Sequence, residues 1–293
     1  MKNENDKLLA KSQLAFIGCG VMAESIIAGL LRQQLVNPAQ IVASHPRANR
    51  CAELTAKYGI RTFEGNREAV RAVQEALRDA DDFSTENSSV VLCVKPQRLG
   101  GVLTELKQQI SADSLIVSII AGARIETIAD ALENRRVVRT MPNTPSQIGA
   151  GMTAWTATPE VTEGQQAQVK ILLGALGREL RVETENMIDM ATALSATGPT
   201  YVFMVMEALT DAGVHLGFSR DVSRELVQQT ILGSVLFAME SHKHPAELRN
   251  MVTSPGGTSA EAIYQMEKGS LRTVLSKAVY AAYQKAVALG QKK

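Results

Sequence analysis

One glycine-rich turn near the start of the chain has the spacing of a dinucleotide-binding turn. In LAFIGCGVMAES, Gly18, Gly20 and Ala23 follow a β-rich run and open a helical one. In this G-x-G-x-x-G/A arrangement, Gly18 allows a tight turn, Gly20 lets the backbone approach a pyrophosphate, and Ala23 permits close packing of helix on strand. We therefore predict a dinucleotide site here, with a plain structural turn as the alternative.

A second glycine-rich turn lies near the other end of the chain, in NMVTSPGGTSAEAI, Asn250–Ile263. Here Pro-Gly-Gly stands between hydroxyl residues and leads into a helical pattern. Backbone N–H groups at such a helix start bind anions, because the helix dipole and the unpaired donors both favour negative charge. The chain thus carries two candidate anion-binding turns, and the second needs a ligand of its own.

The end of the second predicted strand indicates which dinucleotide is bound. An NAD site needs a carboxylate there for the ribose 2′-hydroxyl. The segment ASHPR has no acidic residue, and Arg47, with Ser44 or His45, could bind a 2′-phosphate instead. NADP is therefore favoured over NAD, with a plain surface arginine as the alternative interpretation of Arg47.

The chain lacks the general acid or base that an alcohol or hydroxy-acid oxidoreductase needs. No lysine lies between Lys170 and Lys243, and the histidines form no helix-spaced pair with a carboxylate. Lys95, at the end of a predicted strand, is interpreted as a cofactor or structural contact, and no metal-binding cluster is visible. Reduction of a C=N bond fits this pattern, because a protonated imine is already electrophilic and needs mainly positioning and a hydride.

The first half of the chain predicts the sheet that positions these residues. Continuous apolar runs alternate with helical patterns, which is typical of a parallel sheet covered on both faces. The expected strands are QLAFI, QIVAS, IRTF, VVLCV, LIVSII and RVVRTM, with RELRV as a last edge strand. Ligands of such sheets bind at the carboxyl ends of the strands, so VKPQ, SIIAGA and RTMPNTP are expected at one crevice.

From about residue 185 the pattern is almost entirely helical. We predict an N-terminal tail at 1–12, a Rossmann-like doubly wound α/β domain at 13–182, and an all-α domain at 183–293. The segment Thr200–Leu216 is apolar on almost every side, and a helical domain of this size cannot bury every such face by itself. We therefore expect a homo-oligomer whose helical domains interlock.

The composition is that of an ordinary globular protein. Net charge is +1 and hydrophobic residues make up 45%, with no long basic run and no apolar run long enough to span a bilayer. This argues against nucleic acid or a membrane as the main partner.

The polar N-terminus shows no signal peptide, and the scattered cysteines Cys19, Cys51 and Cys93 suggest reduced thiols in the cytoplasm. The polar segment Arg67–Ser89 is interpreted as a surface excursion without chemistry.

Several motifs in a fixed order give the chain a family resemblance. FIGCGVMAES, VKPQ, SIIAG, MPNTP and LSATGPTYVF, followed by LRNMVTSPGGTSAEAI, resemble pyrroline-5-carboxylate reductase from about Gln13 to Leu289. The resemblance implies reduction of 1-pyrroline-5-carboxylate to proline, the last step of proline biosynthesis, with NADPH or, in some members, NADH. It also implies that the helical domain is a dimerisation domain, with dimers often assembled into larger rings.

The resemblance assigns roles to the residues that match the family's motifs. The pyrophosphate would lie on Ile17–Met22, and the adenosine phosphate would lie by His45 and Arg47. The segments Val94–Pro96 and Ile119–Ala121 would flank the nicotinamide ribose and ring. The implied cofactor set is Ile17, Gly18, Cys19, Gly20, Val21, Met22, Ser44, His45, Arg47, Asn66, Val94, Lys95, Pro96, Ile119, Ile120 and Ala121. The implied substrate site is Ala121, Val252, Gly256, Gly257, Thr258 and Ser259, with Thr258 and Ser259 as the catalytic residues.

The chain departs from the family's pattern at a few positions. SATGPTY stands where the family usually has SGSGPAY, Ser259 replaces a threonine but keeps a hydroxyl, and Met251 stands where a polar residue is sometimes found.

Another imine reductase or a β-hydroxyacid dehydrogenase on the same fold is the alternative enzyme, and the missing lysine argues against the dehydrogenase. A non-catalytic NADP-binding regulator is the alternative from another class, and the intact substrate-loop motif argues against it.

Overall fold

The computed structural model describes residues 8–79 and 84–291. They divide into two compact units, which we call the sheet unit and the helical unit. The sheet unit contains the described residues up to Thr197 and those from Ala282, and the helical unit is Gly198–Ala281. The domain boundary that we predicted after residue 182 stays a prediction, because a division by compactness does not decide where a domain begins.

The sheet unit is built on one eight-stranded sheet. Its strands are β1 (Gln13–Ile17), β2 (Ile41–Ser44), β3 (Arg61–Phe63), β4 (Ser88–Leu92), β5 (Leu115–Ser118), β6 (Val137–Met141), β7 (Gly151–Ala157) and β8 (Gly177–Arg181). They lie in the order β3-β2-β1-β4-β5-β6-β7-β8. All neighbours are parallel except β6 and β7. The strand order reverses between β1 and β4, and ligands of such sheets bind at this point.

Helices cover both faces of the sheet. They are α1 (Val21–Arg32), α2 (Ala48–Tyr58), α3 (Asn66–Arg78), α4 (Leu99–Leu106), α5 (Ile125–Leu132), α6 (Glu163–Gly174) and α7 (Glu185–Ala191). Because successive strand residues point to opposite faces, Phe16 packs in the core formed with α1 and α6, and Ala15 packs in the core formed with α3, α4 and α5. The predicted doubly wound α/β fold is confirmed.

Helix α1, which follows the first glycine turn, shows how these elements form. Its buried side chains Ala23, Ile26, Ile27 and Leu30 recur every three or four positions and form one apolar stripe. This stripe packs on the sheet, while polar Glu24 and Arg32 lie elsewhere on the helix surface. The stripe therefore fixes the direction of α1 and, with it, the position of the turn that opens it.

Most expected strands differ from the observed ones by one or two residues at an end, and β4 and β7 show why. Strand β4 runs from Ser88 to Leu92, two residues earlier than VVLCV, because both serines are buried in the ladder with β1 and β5. Strand β7, GMTAWTA, was not predicted at all, since its small and polar residues give a weak apolar signal. It pairs with β6 from Ala157 opposite Val138. Within the predicted excursion Arg67–Ser89, α3 takes up the first part, and residues 80–83 lie outside the described residues.

The helical unit consists of α8 (Gly198–His215), α9 (Arg220–Ser241), α10 (Pro245–Met251), α11 (Thr258–Lys268) and the first half of α12 (Leu271–Gln291). Helices α8 and α9 approach closely, since a Cβ at Gly213 would lie 2.6 Å from Ser223 Oγ. Ser223 is nevertheless the one buried residue of α9, and α8, α10 and α11 have none. Large apolar side chains on α8 and α9 are exposed: Val202, Phe203, Met204, Val205, Leu209, Val222, Leu226, Leu232, Val235, Leu236, Phe237 and Met239.

Candidate active site

The first glycine turn connects β1 to α1 and is held by the neighbouring strand β2. Gly18 N and Cys19 N donate to Ser44 O at 3.2 and 2.8 Å. Gly18 has a φ of +83°, and a Cβ there would collide with the Val94 side chain. Position 18 therefore needs glycine both for its backbone conformation and for space.

Gly20 faces open space at the start of α1. A Cβ at this position would meet only Gly18 O, at 4.0 Å, and no side chain caps the helix. The N–H groups of a first helical turn have no intrahelical acceptor, so they remain available to an anion. Burial raises the pKa of the Cys19 thiol to about 12, so this side chain stays neutral and its residue can serve the site only through the backbone.

Ser44 and Asn66 lie together beneath the turn. The Ser44 hydroxyl donates to Asn66 Oδ1 at 2.7 Å and accepts from Gly18 N at 3.2 Å. Asn66 in turn donates from Nδ2 to Glu105 Oε2 at 2.7 Å. Ser44 is wholly buried, so its hydroxyl is engaged in holding the turn, and its predicted contact with a cofactor phosphate stays a prediction.

His45 and Arg47 lie at the carboxyl end of β2, where an NADP site places its 2′-phosphate group. Arg47 is exposed at the start of α2, and its backbone N–H donates to His45 Nδ1 at 3.2 Å. Burial, together with the charges of Arg47 and Arg50, lowers the pKa of His45. The lowered pKa favours the neutral form of the imidazole, and Arg47 supplies an exposed positive charge.

Glu24 forms an ionic cluster that we did not predict. Burial would raise the pKa of Glu24, but hydrogen bonds from Lys57, Arg50 and Tyr58 outweigh it and lower that pKa to about 2. Lys57 Nζ and Tyr58 Oη lie 2.8 and 2.7 Å from Glu24 Oε1, and Arg50 pairs with Oε2. The cluster ties the first turn of α1 to α2. An acidic residue in the first turn of the dinucleotide helix was the available sequence signal.

Hydrogen bonds connect the ends of β1, β4 and β5. Cys93 N donates to Ile17 O at 2.9 Å, and Ile119 N donates to Leu92 O at 3.1 Å. The predicted cofactor segments Ile17–Met22, Val94–Pro96 and Ile119–Ala121 are thereby brought to one edge of the sheet. Lys95 is exposed at the start of a short 3₁₀ turn.

Behind the β5 loop lies a second ionic cluster that sequence reasoning missed. Arg139 on β6 has no exposed side-chain surface, and its Nη1 and Nη2 lie 2.9 Å from Glu185 Oε1 and 2.6 Å from Asp189 Oδ1. Arg124 Nη2 lies 3.5 Å from Asp189 Oδ2. The signal for this cluster was present in RVVRTM, where an arginine interrupts an apolar strand and needs buried carboxylates as partners.

The second glycine turn lies in the helical unit, before α11. Gly256 has a φ of +70° with no heavy atom within 4 Å of a Cβ position, and a Cβ at Gly257 would lie 2.5 Å from Ser254 Oγ. No side chain caps α11, so its first N–H groups are available as in α1. Thr258 is exposed, Ser259 is half-buried and Val252 is 69% exposed. The predicted substrate residues of this unit therefore surround one uncapped helix start.

Over the part of the chain that the structure describes, no helix is long and apolar enough to cross a membrane. The same residues contain no group of His, Cys, Asp and Glu side chains that could hold a metal ion.

Two family models match the chain. Residues 185–289 match the model for pyrroline-5-carboxylate reductase dimerisation, and residues 13–122 match the model for NADP oxidoreductase, coenzyme F420-dependent. The first of these matches covers the whole helical unit and also α7. The second covers the strands from β1 to β5, where the predicted cofactor segments lie.

Similar proteins span nearly the whole chain. The pyrroline-5-carboxylate reductase of Pseudomonas aeruginosa is 39% identical over 97% of this chain and 98% of its own length. That of Synechocystis is 37% identical over 96% and 99%. Among solved structures, a pyrroline-5-carboxylate reductase from Coxiella burnetii has a TM-score of 0.83 at 34% identity, over 96% and 100%. The Plasmodium falciparum enzyme, with NADP bound, has a TM-score of 0.82 at 29% identity, over 96% and 98%.

Proposed function

This chain belongs to the pyrroline-5-carboxylate reductase family, and from that premise we propose which of its residues carry out the reaction. The reaction is the NADPH-dependent reduction of 1-pyrroline-5-carboxylate to proline. The structural observation that supports it most is the presence of two uncapped, glycine-opened helices, α1 in the sheet unit and α11 in the helical unit. Cofactor and substrate each bring an anionic group, and each turn suits one of them.

The turn before α1 fits the cofactor. Open space at Gly20 and the free N–H groups of the first turn of α1 suit the pyrophosphate. Exposed Arg47 and neutral His45 suit the 2′-phosphate, and no carboxylate follows β2 to favour NAD. When bound, NADPH supplies the hydride that reduces the C=N carbon. Val94–Pro96 and Ile119–Ala121, at the ends of β4 and β5, position the nicotinamide ribose and ring.

The turn before α11 binds the substrate. The backbone N–H groups of Gly256 and Thr258 hold the carboxylate, while that of Gly257 donates to Ser254 O at 3.0 Å and shapes the turn. The hydroxyls of Thr258 and Ser259 orient the ring nitrogen. Val252 and Ala121 contribute apolar contacts. These residues do not need to act as strong acids or bases, because the imine nitrogen of the substrate is readily protonated in water.

The ionisable groups near the cofactor site are consistent with this mechanism. Burial keeps the Cys19 thiol neutral, His45 is neutral because burial and nearby arginines lower its pKa, and Glu24 is saturated with three donors. Each of these groups therefore has a structural or binding role in the proposed mechanism.

The assembly follows from the helical unit. Exposed apolar residues of α8 and α9, within the region that matches the dimerisation model, form the contact between copies of the chain. We propose that dimers formed in this way assemble further into a ring and that the enzyme works in the cytoplasm. We also propose the domain boundaries 13–182 and 183–293 for the cofactor and dimerisation domains.

The test is the fall in NADPH absorbance when pyrroline-5-carboxylate is added, repeated with NADH and with proline identified by mass spectrometry. Turnover of the pyrroline with a preference for NADPH is the expected result. Oxidation of hydroxy acids without pyrroline reduction would favour a β-hydroxyacid dehydrogenase. Tight NADPH binding without turnover of any cyclic imine would favour a regulator.

A further inference from the structure

The loop after β5 contains Ile119–Ala121, the segment that we propose to flank the nicotinamide. Two hydrogen bonds hold the start of this loop: Ile119 N donates to Leu92 O at 3.1 Å, and Ile120 N donates to Ser118 Oγ at 3.3 Å. These bonds fix where the loop leaves the sheet. The position of its far side depends on other contacts, which come from the last turn of α12 and from Arg124.

The last turn of α12 packs directly on the loop at Gly122. Gly122 has a φ of +73°, and a Cβ there would lie 2.9 Å from Leu289 Cβ and 3.0 Å from the Leu289 carbonyl carbon. Gly290 is restricted in the same way, since its Cβ would lie 3.0 Å from Arg124 Nε and 3.4 Å from Gly122 O. The two glycines let one backbone approach the other, and a larger residue at either position has to move the loop or the helix.

Further contacts hold the end of α12 in this place. Ala286 is 4% exposed, and Tyr283 Oη donates to Asn186 Oδ1 on α7 at 3.3 Å. The same helix α7 carries the carboxylates of the buried ionic cluster. The end of α12, α7 and the β5 loop thus form one packed group within the sheet unit.

Arg124 joins the loop to the buried ionic cluster. Its guanidinium lies 3.5 Å from Asp189 Oδ2 and 3.9 Å from Glu185 Oε2, while Glu185 Oε1 accepts from Ile125 N at 2.8 Å. Asp189 is 1% exposed and also binds the fully buried Arg139. Buried ion pairs are weak evidence for stability, because the cost of desolvation offsets much of their attraction, whereas they can enforce one geometry. The cluster therefore fits a role in fixing the loop.

We propose that Gly122, Arg124, Leu289 and Gly290 position the segment Ile119–Ala121 for hydride transfer. They are positioning residues, since none of them is in the set that binds cofactor or substrate. The proposal rests on the proposed function, which places the nicotinamide at this loop. According to this proposal, the end of α12 contributes to the reaction at the β5 loop, although the two segments lie more than 160 residues apart along the chain.

The variants Gly122→Ala and Gly290→Ala test the proposal. Since a displacement near 1 Å can cost about 100-fold in rate, we expect Gly122→Ala to lower kcat by about 10- to 100-fold. We expect a smaller loss of about 3- to 10-fold in Gly290→Ala, because Gly290 has a helical backbone that alanine adopts without strain. The isotope effect on kcat with NADPH deuterated at C4 should rise, because hydride transfer becomes rate-limiting. The dissociation constant of NADPH should change by less than about 3-fold, because the pyrophosphate turn is untouched.

Gly59→Ala is the matched control. Gly59 has a φ of +68°, and a Cβ there would meet only Pro38, at 3.8 Å. This variant carries the same backbone strain as Gly122→Ala at the end of α2, away from the loop. It should therefore keep the wild-type kcat and isotope effect, so that strain alone is separated from displacement of the loop.

Hydrogen exchange of the amides from Ile119 to Ala123, measured without cofactor or substrate, decides the proposal independently of turnover. Faster exchange in Gly290→Ala and Arg124→Gln, but not in Gly59→Ala, is expected. Wild-type exchange together with wild-type kcat in Gly290→Ala and Arg124→Gln would overturn the proposal, even if Gly122→Ala fails to fold. A wild-type protein that does not oxidise NADPH with the pyrroline would instead overturn the proposed function.

Discussion

The sheet unit and the helical unit place their apolar side chains in opposite ways. In the sheet unit, Phe16 and Trp155 have no exposed surface, and helices cover both faces of the sheet. In the helical unit, Phe203 and Phe237 are 57% and 51% exposed. Single exposed apolar residues are ordinary, whereas a large set on two neighbouring helices marks an interface. The difference shows that the sheet unit is stabilised by its own core, and that the helical unit needs a second copy of the chain.

The largest effect is expected from Phe203→Asp, which tests directly whether the exposed apolar residues of the helical unit form a dimer interface. In a monomer the exposed carboxylate would be harmless, but in a dimer it would be buried without a partner. An uncompensated buried charge costs about 3–5 kcal/mol, which raises a dimer dissociation constant more than about 100-fold. We expect dissociation and loss of most activity, measured by sedimentation velocity and NADPH oxidation.

Leu180→Asp on β8 is the control for that variant. Leu180 belongs to the sheet unit and is 53% exposed, so the same chemical change is made at similar exposure. Its sedimentation should match that of the wild type. A Phe203→Asp protein that sediments as the wild-type oligomer would contradict the comparison.

Ile27→Ala tests the core of the sheet unit. Ile27 on α1 has no exposed surface, and deleting such a side chain costs about 2–5 kcal/mol in the free energy of unfolding. Urea denaturation at two protein concentrations should show the same loss at both, because this core lies within one chain. Ile148→Ala, at a residue that is 77% exposed, should change the free energy by less than about 0.5 kcal/mol. A loss that depends on protein concentration would argue that the sheet unit also needs a partner.

Ser259→Ala tests whether the two glycine turns bind different ligands, the substrate at the turn before α11 and the cofactor at the turn before α1. Removing one partly buried hydrogen bond should lower kcat/KM for the pyrroline by about 10- to 100-fold. NADPH affinity, measured by fluorescence titration, should stay unchanged, because the cofactor turn lies in the sheet unit. Ser259→Thr keeps the hydroxyl and should retain most of the activity. Unchanged kinetics in Ser259→Ala would exclude the proposed role of this hydroxyl.

Arg47→Gln makes the complementary change in the sheet unit. Loss of one charge-assisted contact with a 2′-phosphate should lower the ratio of kcat/KM with NADPH to that with NADH by about 10-fold. The KM for the pyrroline should not change. Arg178→Gln, at an exposed arginine on β8, is the control for the lost charge. An unaltered cofactor ratio in Arg47→Gln would make this arginine an ordinary surface residue.

The smallest effect is expected from Glu24→Gln, which tests a stabilising contact inside the sheet unit. Hydrogen bonds from Lys57, Arg50 and Tyr58 overcome the effect of burial and lower the pKa of Glu24 from 4.5 to about 2. A carboxylate with a lowered pKa in the folded state stabilises above its unfolded pKa, and this contribution is lost as pH falls towards the folded value. The difference in Tm between wild type and Glu24→Gln should therefore be full above pH 4.5 and shrink between pH 4.5 and about 2. A difference that stays constant with pH would show that the charge of Glu24 is not responsible.

The sequence predicted those parts of the molecule that depend on local patterns. The strand QLAFI has the bounds that we expected, because a continuous apolar run is a property of adjacent residues. The first glycine turn follows β1 and opens α1 as its spacing indicated. The strand GMTAWTA was missed because small and polar residues form a strand only when a neighbour such as β6 offers a ladder.

In the candidate site, too, some residues were predicted from local sequence patterns and others could not be predicted. Gly18, Ser44 and Asn66 were all expected at the cofactor, and the structure brings them into hydrogen-bonding distance. The partners of Arg139 could not be predicted, because Glu185 and Asp189 lie about 50 residues further along the chain and contact it only after the sheet has formed. The same holds for Glu24 and its donors on α2. Ion pairs between distant segments leave no periodicity in a sequence.

By itself, the amino-acid sequence determined the doubly wound α/β fold, the two glycine turns before helices α1 and α11, and the absence of a carboxylate after β2. Local conformational preferences and the types of neighbouring residues are sufficient for each of these. Only the tertiary structure decided that the last turn of α12 packs on Gly122 and that α8 and α9 keep their apolar side chains exposed. Contacts between distant segments and the exposure of a helix face depend on how the whole chain packs, because the same apolar residue can be buried in a core or left for a partner.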